Sequence, residues 1–293
     1  MYKTVKRIAI QLWYNIWNLR FLFAVGFCVV ICMMPSVGSV PGKNTVIKVF
    51  FRKDFQSFVA GDAACSAQAI LRGFMNSDWF AMLLLAACSF PAVTRFVEEY
   101  YSGMFYFELC GLSAKNYSVV KFVAAALSSG IVFLCGFAVY VILVHLRFPE
   151  LQEYSAAAVQ NYEMMYGSMS AYWAELSRAV AHVTLVAVLG GAVVSVVAVF
   201  LRDRYFLFGL PMLVVFFLGR LKLYLISNHW ELSDAGNGWW NLLIPDTYPS
   251  FYWSFQYHTG RAYGWFLLIA GLELAGMFLL FSMRVRKKVR SNG

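Results

Sequence analysis

Tyr117–Leu146 reads YSVVKFVAAALSSGIVFLCGFAVYVILVHL, with Lys121 as its only Lys, Arg, Asp or Glu. A helix rises about 1.5 Å per residue, so about 20 apolar residues cross the hydrocarbon core of a bilayer. This stretch exceeds that length, and as a helix it satisfies its backbone groups internally, as lipid demands. Outward on either side, five more apolar stretches meet the test to differing degrees: Phe21–Val40, Trp79–Phe96, Leu176–Leu201, Tyr205–Ile226 and Ala262–Met283. The first is the least regular, because Pro35, Gly38 and Pro41 disturb its far end. The expected fold is an all-α membrane protein with six transmembrane helices.

Composition agrees. The 293 residues are 61% hydrophobic and 13% charged, with a mean hydropathy of +0.63. Soluble domains run near half apolar and about a quarter charged, and a soluble core of this length could not hide the excess. The net charge of +9 does not indicate nucleic acid. No basic stripe interleaves with stacking aromatics, and the densest run, Arg284, Arg286, Lys287, Lys288 and Arg290, directly follows an apolar segment. Such a run reads as a stop at a cytoplasmic face.

With both termini cytoplasmic, the inner segments hold 14 Lys/Arg against 4 Asp/Glu, and the outer loops and outer span ends hold 10 of each. That asymmetry obeys the positive-inside rule, although Lys43, Lys48, Arg52, Lys53 and Arg72 blunt it. The expected organisation is therefore residues 1–20 as an interfacial amphipathic helix and 21–293 as a six-span domain (spans about 21–40, 79–96, 117–146, 176–201, 205–226 and 262–283). In the first part Val5, Ile8, Leu12, Trp13 and Ile16 recur at helical spacing opposite Lys6, Arg7, Gln11, Asn15 and Asn18. A signal peptide would carry a shorter basic region without two Trp, so an uncleaved anchor is the reading adopted.

The outer loops are long. Residues 41–78 are polar and aromatic, 147–175 are acidic with a short helix expected after Pro149, and 227–261 are rich in Trp, Tyr and Phe, as at headgroup level. Of the cysteines, Cys28, Cys32, Cys88, Cys110 and Cys135 lie in apolar runs or beside them and Cys65 is expected outside; no CxxC or Cys/His cluster indicates metal or a disulfide framework. No internal repeat is evident.

Catalytic motifs are missing. The nearest approach to a phosphate-binding loop, Gly38-Ser39-Val40-Pro41-Gly42-Lys43-Asn44, is one residue short between its glycines and ends in Asn. No His-Glu-x-x-His or Gly-x-Ser-x-Gly occurs. Ionisable residues in or beside the spans invite suspicion because lipid makes them costly. Glu273, Arg220 and His182 are the possible intramembrane polar site, with packing ties between helices as the plainer reading.

The stretch between the second and third apolar segments is the most informative for function. Arg95–Lys121 reads RFVEEYYSGMFYFELCGLSAKNYSVVK. Glu98 and Glu99 follow the span, Ser102-Gly103 breaks the chain, a short amphipathic piece runs from Met104 to Leu112, and Ser113-Ala114-Lys115 lead into the next helix. Physically this is a peg held between two membrane helices, able to dock in a groove of a soluble partner and pass motion into the bundle.

This order of residues resembles the permeases of type-2 ABC exporters. Their second span ends in an acidic residue; a Ser/Thr-Gly region, a helix ending in Leu and a small residue, a Tyr and a Lys follow. Here those positions are Glu98/Glu99, Ser102, Gly103, Leu109–Ser113, Tyr117 and Lys121. The Pro common after that helix is absent, and the usual basic cluster is reduced to Lys115. The resemblance implies a permease subunit that is not itself an enzyme and binds no cofactor. A separate ATP-binding cassette subunit would hold ATP and Mg, and a second permease chain would complete the dimer. It implies a multi-pass protein of a bacterial plasma membrane, working in export, with Glu98, Glu99, Gly103, Met104, Phe105, Phe107, Glu108, Leu112 and Lys115 coupling to the ATPase. A non-transporting sensor or assembly partner and an intramembrane enzyme using Glu273 and His182 remain the alternatives.

Overall fold

A computed structural model of the chain describes residues 2–37, 44–60, 62–74, 80–102, 104–109, 112–166, 172–203, 206–209, 212–213, 216–217, 220 and 260–291. Their order is α1 (Tyr2–Ile16), α2 (Leu19–Cys32), α3 (Val46–Phe50), α4 (Phe55–Ala60), a 3-10 turn (Ala63–Cys65) and α5 (Ala67–Arg72). Then come α6 (Phe80–Tyr101), α7 (Met104–Leu109), α8 (Ala114–Arg147), a second 3-10 turn (Leu151–Glu153), α9 (Ala156–Tyr166), α10 (Tyr172–Ala198) and α11, the helix Gly260–Ser291. Among the described residues the only β pairing is an isolated bridge between Ser36 and Thr45.

α8, α10 and α11 are each long and apolar enough to cross a membrane, and α1 with α2 makes a fourth candidate if the bent pair counts as one span. The chain is an all-α membrane protein. α6 packs with α2, α8 and α10 in the same bundle.

One side chain makes the bend between α1 and α2. The Asn18 carboxamide oxygen accepts the Phe21 amide at 2.9 Å and caps α2, while its NH2 donates to the Asn15 carbonyl at 3.0 Å at the end of α1. Satisfying both helix ends from one residue lets the chain turn 69° in two residues. α1 then lies against α8 and α6.

The first apolar stretch is not helical as far as Val40. α2 stops at Cys32, and ahead of Pro35 the chain turns back, with the Val46 amide donating to the Pro35 carbonyl at 3.0 Å. α6 departs from expectation the other way. The helix continues past Phe96 through Glu98 and Glu99 to Tyr101, because those carboxylates find cationic partners described below. The predicted loop 41–78 also folds where it is described: α3, α4, α5 and the turn after α5 bury Val46, Val49, Phe55, Val59, Leu71 and Phe74. After Pro149 the expected short helix is the 3-10 turn Leu151–Glu153, whose capping box joins Glu150 and Glu153.

Small residues let the long helices approach. A Cβ at Gly136 on α8 would stand 2.7 Å from Cys28 Cβ on α2, and one at Gly191 on α10 would run into the Ser129 hydroxyl on α8. Two apolar cores result. One, at the end carrying α7, gathers Phe96, Tyr100, Phe105, Tyr117, Phe122 and Phe281. The other, at the opposite, capped end, gathers Phe74, Phe133, Phe137, Tyr140 and Tyr172. Of Tyr205–Ile226 only scattered helical residues are described, and the aromatic segment 227–259 lies outside the described residues.

Candidate functional site

α7 is a single short helix whose two neighbouring aromatics have opposite fates. Phe105 is fully buried, its ring edge-on to Tyr100 at 5.1 Å and to Tyr117 at 5.3 Å between centroids. Phe107 is 82% exposed and Met104 59%. The turn into α7 is held by Ser102, whose hydroxyl donates to the Glu99 carbonyl at 3.1 Å and accepts the Met104 amide at 3.3 Å. The turn out is held by Ser113, which caps α8 by accepting the Asn116 amide. The peg therefore has a packed base, fixed ends and an apolar tip facing away from the bundle.

Beneath it lies a charge cluster. Lys121 on α8 is 4% exposed. Its ammonium pairs closely with Glu99 on α6, at 2.9 Å with Glu108 on α7, and donates to the Gln11 side chain on α1 at 3.1 Å. Three donors meet three acceptors, which is the complement a buried ammonium needs. Arg95 bonds Glu99 at 2.9 Å one helical turn back, donates to the Tyr14 carbonyl at 3.1 Å and stacks on the Tyr14 ring at 4.9 Å. Arg20 on α2 grips Glu98 with two bonds, at 2.8 and 3.0 Å. From α11, Lys288 donates to the Tyr100 carbonyl and lies 3.7 Å above the Tyr100 ring and 4.7 Å from Phe105. α1, α2, α6, α8 and α11 thus meet under α7.

The sequence-derived site residues divide accordingly. Met104, Phe107 and Lys115 are exposed, Leu112 and Glu108 half-buried, and Phe105 and Glu99 belong to the interior. Glu98 ties α6 to α2. Gly103 lies outside the described residues. Gln11, Arg20, Arg95, Lys121 and Lys288 complete the cluster; none is among the expected coupling residues, although Lys121 is a position of the family resemblance. A Lys one turn inside an apolar helix and a Glu pair one turn before a break were the signal available for Lys121. Of the intramembrane set, His182 is fully buried on α10, Glu273 is half-buried on α11, and Arg220 is exposed, its guanidinium 5.3 Å from the Phe216 ring.

At the capped end Arg72, 6% exposed, pairs with Glu175 at 2.8 Å and lies over the rings of Tyr162 and Tyr172 at 5.6 and 5.5 Å. His145 meets Glu150 at 2.7 Å, and Glu150 also accepts from Gln68. Cys65, expected outside, is buried here, and burial followed by the nearby Asp62 charge pushes its thiol up to about 12. Among the described residues no group of His, Cys, Asp and Glu is disposed to hold a metal ion.

Set beside protein-family models, curated proteins and solved structures, the chain matches none of them. Fold and site define an all-α membrane protein with a short helix, α7, braced at one end of its bundle.

Proposed function

We propose that the chain is the permease subunit of an ABC exporter, driven by a separate ATP-binding subunit that docks on α7. The carrying observation is the split within α7: an exposed Met104 and Phe107 on a base that Phe105 and the charge cluster join to five other helices. An exposed aromatic on a rigid support suits the groove of a soluble partner. Force on that tip would reach α8 through Glu108–Lys121, α6 through Glu99, and α1 through Gln11 and Arg95. Rigid-body shifts of helices are what such a linkage transmits.

In this reading six spans cross a bacterial plasma membrane, both termini and α7 are cytoplasmic, α1 lies in the interface, and two permease chains pair. The exposed Trp13, Tyr14 and Trp17 support the place of α1, since such rings favour the headgroup level. The nucleotide and its Mg would be bound wholly by the partner.

Purification from mild detergent tests the proposal. An ATP-binding subunit should co-purify one to one, and Phe107→Ser should release it while the chain still folds. Inverted vesicles carrying both subunits should take up substrate only with ATP. A chain purified alone under these conditions, with no ATP-dependent movement, contradicts it.

A further inference from the structure

Between Lys121 and His145 on α8 no Lys, Arg, Asp, Glu or His interrupts the helix, 23 residues in all. At about 1.5 Å per residue that run matches the hydrocarbon core of about 30 Å with a few Å over, so His145 and Arg147 stand at headgroup depth. At that level, at the capped end, opens a cavity of about 580 Å³. Its wall includes Phe55, Leu146, Arg147, Phe148, Glu153 and Tyr154.

The two charges on the wall are not spent on each other. Arg147 stacks on the Phe55 ring at 4.0 Å. Stacking uses the face of the guanidinium and leaves its in-plane N–H groups available, and among the described residues none of them meets a carboxylate. Glu153 uses one oxygen to accept the Glu150 amide at 3.3 Å. The floor is apolar, with Phe55 edge-on to Phe148 at 5.2 Å. Leu146, 78% exposed, forms the side that faces outward from the bundle.

We propose that this cavity binds the headgroup of a zwitterionic phospholipid, its phosphate on Arg147 and its ammonium on Glu153. The acyl chains leave past Leu146 into the bilayer. One cation and one anion over an aromatic floor complement a phosphate–ammonium pair better than either charge alone would suit a purely anionic lipid. A free peptide also carries both charges, but it would gain nothing from a site opening at the membrane boundary beside an exposed leucine. This inference does not depend on the proposed transport role.

The test is native mass spectrometry of the full chain purified in mild detergent and titrated with phosphatidylethanolamine, phosphatidylglycerol or an unrelated dipeptide. One phosphatidylethanolamine per chain should be retained, several-fold above phosphatidylglycerol. Arg147→Ala should remove retention of both lipids, and Glu153→Gln should abolish only the preference between them. Both residues are exposed, so unchanged thermal unfolding of the variants confirms that binding alone was altered. Equal retention of the two lipids by the unaltered chain, unchanged lipid retention in Arg147→Ala, or dipeptide binding without lipid would overturn the proposal.

Discussion

Lys121 at the α7 end and Arg72 at the capped end are both nearly buried cations, 4% and 6% exposed, yet they keep different company. Lys121 is surrounded by carboxylates and an amide from three other helices. Arg72 pairs with the Glu175 carboxylate, donates to the Tyr162 hydroxyl and lies over two aromatic faces. Above Lys121 an aromatic tip stands exposed; around Arg72 the short helices α5 and α9 close over the bundle. In the proposed function the α7 end is braced to receive a load, whereas Arg72 is simply covered by the helices beside it. Buried ion pairs are not in themselves a gain in stability, because desolvation opposes the attraction. In the proposed function their value at the α7 end would be to fix how helices that move together are joined.

That contrast makes graded predictions for thermal unfolding in mild detergent. Lys121→Met should have the largest effect, about 3 kcal/mol, because it leaves the buried Glu99 with Arg95 alone. Adding Glu99→Gln should return part of the loss, since the uncompensated charge goes with it. Arg72→Met should cost less, about 2 kcal/mol, because Glu175 is 26% exposed and can rehydrate. It should leave capture of an ATP-binding subunit untouched. Glu98→Gln should cost under about 1 kcal/mol, as both it and Arg20 are more than a third exposed. A larger loss at Arg72 than at Lys121 would break the comparison.

Much of the bundle is legible in the sequence. α8, α10 and α11 announce themselves because an apolar run long enough to cross a bilayer, with almost no charge inside it, has few other uses. The peg is legible as a break between two such runs. Its faces are not: α7 is six residues long, too short for periodicity to say that Phe105 turns inward and Phe107 outward. Glu98 and Glu99 read as the end of a span because a lone carboxylate is costly in a helix bundle. The helix runs through them since Lys121 and Arg20 come from positions 22 and 78 residues away in sequence, with Arg95 one turn back on the same helix. Arg72 and Cys65 read only as members of a long outer loop. A charge or a thiol in a polar loop gives no sign that short helices will fold over it. Nothing local marks Gln11 as a partner of Lys121 either, 110 residues on.

The central claim is that a soluble nucleotide-binding protein grips the tip of α7. A photo-crosslinking amino acid placed at Phe107, and separately at Phe51, which is 75% exposed among the capped-end helices, tests it in intact cells. Position 107 should capture an ATP-binding chain, and position 51 should capture none. Capture of that chain from position 51, or none from position 107, would contradict the account.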